Sequence, residues 1–509
     1  MVLTPTNIAI GIGAYFLVVL GIAYVASKRL DVVPSDYYLG GRGLGTLVLT
    51  GTILASWFST FAFLGGPGTF FTDGVGWLYF GLFNITGPIL IWVIGTRFWL
   101  LGKKYGHVTP SDLVAQFYEG DNVTRIMVGV IGIFALIPYS VIQLTGAARA
   151  LVGATGNPEY FTYGVFLLLG MVALYLFVGG LRAVAWIDTF QAFIFMPLLI
   201  VTAGLIAYWA GGLGTGFGAA VSNNPEAWRF DLSDAGAWYT GALVWTMSWV
   251  FIPHMWQRML MAKNPKVIAK SAAISGTVAL WVITFSALII GGVASGLFTE
   301  LPEGIPADGL MTFVYTDFWP AGAILISIAA FAAGMSSVSS MILTSSSIFV
   351  RDIVKKPFKP NMDSDDEGKV GRYFTILFAA FVLVFSISPA AEDAIIPLAS
   401  DGVALALLYI PCVLGMLYWE EASTAGARWS LIIGFVFMQI AIWTPVGGIF
   451  PYFGAPVYGL LLTASIYYAI SKVTDPVPRD HQREMRDILV RGMRIDRKHE
   501  SSDIQPADD

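Results

Sequence analysis

Long apolar stretches alternate with short polar gaps along the whole chain, at 7–27, 45–71, 75–96, 126–152, 161–179, 185–210, 239–257, 271–298, 319–349, 373–390, 394–418, 429–446 and 453–471. Each approaches or exceeds the roughly 20 residues that a helix needs to cross about 30 Å of hydrocarbon. Lipid offers no partner to a free N–H or C=O, so such stretches must be helical. The pattern predicts an all-α polytopic membrane protein of about 13 transmembrane helices, numbered below as spans 1 to 13.

Two spans depart from simple helix design. Span 2 carries Ala55-Ser56-Trp57-Phe58-Ser59-Thr60 and then Gly65-Gly66-Pro67-Gly68, a mixture that weakens a continuous helix. Span 7 is interrupted in a comparable way by Thr246, Ser248, Pro253 and His254. The two lie five spans apart, so the second is inverted relative to the first. Interrupted leading helices in two five-helix units are what an inverted-repeat transporter shows, with the breaks exposing backbone groups to a midplane site. Gly and Pro are also common in membrane helices generally, and spacing alone leaves that reading open.

Charge fixes an expected orientation. Of the 29 Lys and Arg residues, 27 fall in the gaps on one side of the membrane, together with the carboxyl-terminal segment. The positive-inside rule therefore predicts an outer amino terminus and a cytoplasmic carboxyl terminus. The first stretch lacks a basic segment before it and has Lys28 and Arg29 after it, so it reads as a retained helix. Only 12% of residues are charged, against about 25% in soluble proteins, which leaves no room for a sizeable soluble domain. The net charge of −5 makes nucleic acid an unsuitable partner. A single cysteine, Cys412, cannot form an internal disulfide.

Few gaps are long enough to hold structure. Thr109-Pro110-Ser111-Asp112 has a capping threonine, a proline at the first helical position and an early acid, and predicts a short cytoplasmic helix. The segments 211–238 and 299–318 read as external loops or lids, and the tail from Asp475 as a solvated or frayed helix with no apolar face wide enough to pack.

Three formally charged residues fall within the spans: Arg149, Asp188 and Asp401. A charge costs at least about 2.5–3.5 kcal/mol in the membrane, so each is a functional candidate. Asp188 also fits a helix-terminus acid, Arg149 a snorkelling side chain at the outer interface, and Asp401 a packed or water-lined cavity. In span 9, Ala333, Ser336 and Ser337 are spaced i, i+3, i+4 and share one helical face. Two hydroxyls and a carbonyl there can offer hard oxygens to a small hard cation. Serines also allow close helix packing, and opposite a broken span 2 the ion site is the stronger reading.

With these elements in place, nearly the whole chain resembles the sodium/solute symporter family. The resemblance rests on Tyr38-Leu39-Gly40-Gly41-Arg42 after span 1, on the segment from Gly179-Gly180-Leu181-Arg182 through Asp188-Thr189-Phe190-Gln191, on Pro253-His254 with Gln257-Arg258, and on the Ser-rich span 9. It implies a five-plus-five inverted-repeat (LeuT-like) core. Domains are expected at 1–44 (first helix and linker), 45–210 and 211–418 (the two repeats), 419–474 (two peripheral helices) and 475–509 (cytoplasmic tail). It implies Na+ as coupling ion, bound by the backbone carbonyls of Ala55 and Phe58 and by Ala333, Ser336 and Ser337, with Asp188 on the sodium exit path. Some members have an aspartate where this chain has Trp57, so any role of that acid is absent or moved. Solute contacts are implied at Ser59, Thr60, Gln143, Trp245 and Ser248.

Gly65-Gly66-Pro67-Gly68 and the run Gln143-Leu144-Thr145-Gly146-Ala147-Ala148-Arg149 look most like the pantothenate-permease branch. Arg149 near the outer vestibule would suit a carboxylate. The function expected is sodium-coupled symport of a small organic solute, a carboxylate of pantothenate or monocarboxylate type, at the cell membrane and without enzymatic activity. The alternatives are a proline-type amino acid symporter, a proton-coupled carrier using Asp188 or Asp401, and, further off, a sensor or the membrane subunit of an enzyme complex.

Overall fold

The computed structural model describes residues 4–28, 39, 42–391, 395–450 and 453–497, with the side chains of 26–27, 177–183, 232, 390, 396–397 and 494–497 outside the description. Tyr38, Gly40 and Gly41 of the Gly-Gly-Arg element, and the side chains of Gly179 to Ala183 in the longer signature, fall outside it too. The described chain is helical, with one isolated bridge between Leu44 and Ala262. Helices stand at each apolar stretch, from Pro5–Ser27 to Gly454–Val473. Among the described residues nine are long and apolar enough to cross a membrane, and ten with the bent pair in span 2. Helix runs from Tyr160 to Trp209 and holds two apolar segments, Tyr160–Leu176 and Val184–Trp209, the predicted spans 5 and 6.

Burial separates core from periphery. The most apolar windows of spans 4, 9 and 11 are 72%, 78% and 83% buried inside the protein, against 28% for span 1 and 17% for span 10. Helices apolar all round and surrounded by protein form the centre of a bundle; those with exposed apolar faces meet lipid. Close approach at the centre is set by small residues. A side chain at Gly334 would lie 2.8 Å from the Gln143 carbonyl in span 4, and one at Gly51 would lie 2.7 Å from Thr189 Oγ1 in span 6. Small residues at such crossings let the backbones pack without lipid between them.

Span 2 breaks as its composition predicts. Helix Thr46–Trp57 ends at Phe58 (φ −88°, ψ 70°), and the chain resumes at Phe61 bent by 61°. Ala62, whose amide would take the Phe58 carbonyl in an unbroken helix, donates to Ser59 instead at 3.1 Å. In span 7, helix Ala235–Phe251 stops at the extended Ile252 (ψ 133°) and Pro253 opens a second helix, Pro253–Leu260. Proline at a first helical position has no N–H to lose, so the restart occurs there.

Of the three long gaps, two keep one of their readings and one changes. The segment 211–238 contains helix Leu213–Asn223, and 299–318 contains helix Leu310–Phe318, so of loop and lid both take the folded form. As far as residue 497 the tail is a docked helix rather than a frayed one. Helix Arg479–Arg497 lies on the carboxyl-terminal end of span 3 and on the helix that follows it, with Met485 and Leu489 buried, His481 against the Gln116 carbonyl (2.9 Å) and Tyr105 donating to Glu484 (3.0 Å). Its apolar stripe is narrow, but a groove already built by the bundle needs no wider one.

The short helix expected after Thr109 forms, over Pro110–Phe117, with Thr109 and Asp112 in a reciprocal capping box. Asp112 is also the hub of an ion-pair network. It accepts from Arg125 at 2.8 Å and from Lys356, and Arg125 reaches Asp352 at 3.4 Å. The base of span 4, the inner end of span 9 and this helix are thereby joined. Burial alone would raise the Asp112 carboxyl, but Lys356, Arg351, His107 and Arg125 hold it well below the usual carboxylate range.

Burial pushes the neighbouring His107 down to about 4, against the pull of Asp112 and with the help of Lys356, Arg42 and Arg125. An unfolded histidine titrates near about 6.5, so between these values the unfolded chain binds more protons and stability falls as pH drops from about 6.5 toward 4. His107→Asn is expected to flatten that fall in melting temperature, measured on purified protein from pH 7.5 to 4.5. An unchanged slope in the variant would assign the decline to other groups.

Candidate functional site

The break in span 2 leaves carbonyls that must be satisfied away from water, and span 9 supplies the donors. Ser336 Oγ donates to the Ala55 carbonyl at 2.8 Å and to the Ala333 carbonyl at 2.9 Å. Ser337 Oγ donates to the Ala55 and Ser56 carbonyls at 3.1 and 3.2 Å. All five residues are fully buried. The i, i+3, i+4 face read from the sequence therefore meets the end of helix Thr46–Trp57, and Ala55, Ala333, Ser336 and Ser337 are brought together. Phe58 stands just past that end, its carbonyl released from its usual amide partner. The set consists of neutral hard oxygens, matching the preference of an alkali cation. Among the described residues no group of three or more His, Cys, Asp or Glu is arranged to hold a metal ion.

One turn further in, span 9 meets a buried ion pair. Asp188 Oδ2 accepts from Thr52 Oγ1 at 2.8 Å and from Arg258 Nη2 at 3.3 Å, and both charged side chains have no exposure. Arg258 also donates to Ser56 Oγ at 3.1 Å and to Ser340 Oγ. Four elements are pinned at one point: spans 2, 6 and 9 and the second half of span 7. Counted by position, Arg258 belonged to a cytoplasmic gap; the helix restarting at Pro253 carries it inside instead. The placement of Asp188 as a helix-terminus acid gives way as well, because its carboxylate is wholly enclosed.

The solute candidates gather on the other side of the break. Thr60 donates through Oγ1 to Gln143 Oε1 at 2.9 Å and to the Ile142 carbonyl at 2.9 Å, while Gln143 Nε2 donates to the Tyr139 carbonyl at 2.9 Å. Ser59 Oγ accepts from the Phe61 amide at 3.3 Å. Ser248 Oγ turns back to the Val244 carbonyl at 2.6 Å in its own helix. Trp245 stacks on Phe61 at 4.2 Å and on Phe83 at 5.6 Å, and Trp57 lies 4.3 Å from Trp249. This aromatic cluster joins the two broken spans to span 3. Trp249, Phe61 and Phe83 were missed in the sequence because aromatic residues are frequent throughout this chain.

Arg149 is not offered to a solute in the way its position suggested. Its Nη1 donates to Asp308 Oδ2 at 2.6 Å and its Nη2 to the Ala391 carbonyl at 3.3 Å. Asp308 accepts in addition from the Ile395 amide at 3.2 Å. The segment after span 8 thus reaches the carboxyl-terminal end of span 4 and neutralises Arg149 there. Asp401, the third intramembrane charge, lies on the exposed side of its helix rather than packed within the bundle.

Residues 37–434 match the sequence model of the Sodium:solute symporter family. The sodium/pantothenate symporter of Escherichia coli (strain K12) is 26% identical over 441 residues, covering 84% of this chain and 89% of that protein. The sodium/proline symporter of the same organism is 25% identical over 468 residues, covering 87% and 88%. A Na+-coupled sialic acid symporter, solved in a substrate-bound outward-open state, superposes with a TM-score of 0.78 at 18% identity, over 92% of this chain and 98% of that one. That likeness carries the fold.

The Arg149–Asp308 pair has side chains only 7% and 3% exposed. Removing one partner of such a pair leaves a buried charge, so Arg149→Gln is expected to lower unfolding stability by about 3 kcal/mol. Adding Asp308→Asn should recover most of the loss. Equal destabilisation in the single and double variants, read by thermal unfolding, would show that the two charges do not answer one another.

Proposed function

The chain belongs to the sodium:solute symporter family, and on that premise we propose that its sodium ion is held by the carbonyls of Ala55 and Phe58 together with Ala333, Ser336 and Ser337. The chain is a multi-pass, sodium-coupled symporter of a small solute. The observation that carries the site is the convergence of the Ser336 and Ser337 hydroxyls on the Ala55 carbonyl at the end of a broken helix. These hydroxyls now donate to carbonyls. With an ion present each turns its proton aside and its lone pairs toward the charge, so sodium replaces the hydrogen bonds that join spans 2 and 9. Ion binding then organises the break before solute enters, and rocking of the core exposes both to the other side.

The solute carries a carboxylate in this reading and lies against Ser59, Thr60, Gln143, Trp245 and Ser248. Two features support it. Pantothenate and proline, named for the bacterial relatives, both bear carboxylates. The indole N–H groups of Trp57, Trp245 and Trp249 are buried and bond to nothing among the described residues. An indole only donates and an ionised carboxylate only accepts, so the two are complementary. With Arg149 engaged by Asp308, sodium is the positive charge that accompanies the solute. Coupling then separates the candidates. One charge crossing 100 mV yields about 2.3 kcal/mol and a tenfold sodium gradient about 1.4 more, enough for roughly 500-fold accumulation of a zwitterion such as proline. A monoanion moving with one sodium loses the electrical part and reaches only about tenfold, so strong uptake of pantothenate requires a second cation.

The Asp188–Arg258 pair closes the inner side beneath the sodium site. The amino terminus lies outside and the carboxyl terminus in the cytoplasm of a cell-membrane protein, with repeats at 45–210 and 211–418 and peripheral helices at 419–474.

Uptake into proteoliposomes tests these assignments, using labelled carboxylates, amino acids and sugars with and without a sodium gradient. Ser336→Ala with Ser337→Ala is expected to raise the sodium concentration for half-maximal uptake tenfold or more, since lost ligands in a dry site cost on the order of 1–3 kcal/mol. Wild-type sodium dependence in that variant would place the ion elsewhere. Undiminished uptake without sodium across pH would favour a proton-driven carrier, and a sugar as best solute would end the carboxylate reading.

Asp188→Asn weakens the inner tie without touching the solute region. It is expected to change turnover while leaving the ranking of solutes intact, and an altered ranking at normal turnover would contradict the placement.

A further inference from the structure

Away from the proposed sodium and solute residues, spans 3 and 8 pack side by side. They touch where Gly276 faces Pro88, since a side chain at Gly276 would lie 3.2 Å from the proline ring, and where Asn84 donates to Thr284 at 2.9 Å. Between and below these contacts lies an apolar groove of about 320 Å³. Ile89 and Trp92 form one wall and Ala273, Thr277 and Trp281 the other, with both tryptophans exposed. The small side chains on span 8 make the space, and the tryptophans bound it.

The face of span 8 that lines this groove does not end with it. Lys266 and Lys270 precede Ala273, Thr277 and Trp281 at intervals of three or four residues, so they continue the same helical stripe beyond the groove's end. Both lysines are exposed, and no ion pair engages them among the described residues. Span 8 begins with this end, on the side where the chain's positive charges concentrate. From Ala269 to Trp281 the groove runs about 18 Å along the helix, close to the roughly 15 Å of hydrocarbon in one leaflet.

We propose that this groove is a binding site for one anionic phospholipid, its acyl chain lying between Trp92 and Trp281 and its phosphate headgroup on Lys266 and Lys270. An apolar channel one leaflet deep holds a tail of any lipid. Two uncompensated cations at its mouth choose among headgroups, because anionic surfaces attract each such lysine while a zwitterionic headgroup gains little from them. The site takes no part in binding sodium or solute, and the juxtaposition of groove and lysines is the same whichever way the chain is inserted.

The test is native mass spectrometry of the full chain in detergent, supplied with phosphatidylglycerol or phosphatidylcholine of identical acyl chains. Wild type is expected to retain phosphatidylglycerol about tenfold better. Lys266→Gln with Lys270→Gln should bring the two lipids within about twofold. Ala273→Trp, which fills one wall, should reduce phosphatidylglycerol retention while sodium-dependent uptake continues, so the loss cannot be put down to misfolding. Equal retention of the two lipids by wild type overturns the proposal. So does a preference that survives the double lysine variant, or a dimer whose formation through this face expels the lipid.

Discussion

The interruption of span 2 is the constraint on which the rest of the core depends. Inside a membrane a helix that stops must hand its carbonyls to other donors, because neither water nor lipid will satisfy them. Here the donors are Ser336 and Ser337, carried on the buried central helix Pro320–Ile348. Their position dictates that span 9 lies directly against the break. That contact in turn requires a small residue, Gly334, where span 9 crosses span 4. A bond made only because a helix was broken is also one that a cation can take over. In the proposed sodium site the structural repair and the coupling ion use the same atoms.

Around this centre, charge is used as a fastening. Asp188 and Arg258 join four elements in a place with no solvent, where the desolvation cost is met only by close pairing and extra hydrogen bonds from Thr52, Ser56 and Ser340. At one end of the bundle Arg149 and Asp308 tie the segment after span 8 to span 4, and at the other Asp112 draws in Arg125 and Lys356. Such ties are poor sources of net stability but strongly orientation-dependent, which suits joints that hold one arrangement of rigid helices and release it for another. The aromatic cluster of Trp57, Phe61, Trp245 and Trp249 fills the space between the broken helices without fixing any polar geometry there.

The family, the positions of the spans and the two breaks were legible in the sequence, and so was the oxygen-bearing face of span 9. Ala333, Ser336 and Ser337 share a face because helical periodicity is local, and the Gly and Pro residues of spans 2 and 7 act on their own backbone. Lipid strengthens such local rules, since an apolar stretch in a membrane has almost no choice but to be a helix. The short helix after Thr109 followed for the same reason, its cap being written within four residues.

Partnership was not legible. Asp308 and Arg149 are 159 residues apart, and Asp188 and Arg258 are 70 apart. Nothing in either neighbourhood names the other. Arg258 looked like one more positive charge in a gap between spans until the restart at Pro253 drew it inside, and Arg149 looked available until the segment read as an external loop or lid folded onto it. The tail helix looked unable to pack because its own stripe is narrow, yet the surface it meets belongs to the end of span 3 and the short helix that follows it. Local backbone preference and the hydrophobic thickness of the membrane are written residue by residue and act wherever those residues stand. Which buried charge meets which, and therefore whether a candidate group is free to serve a ligand, is decided only when distant helices are brought within a few ångströms and the cost of an unpaired charge selects the arrangement that survives.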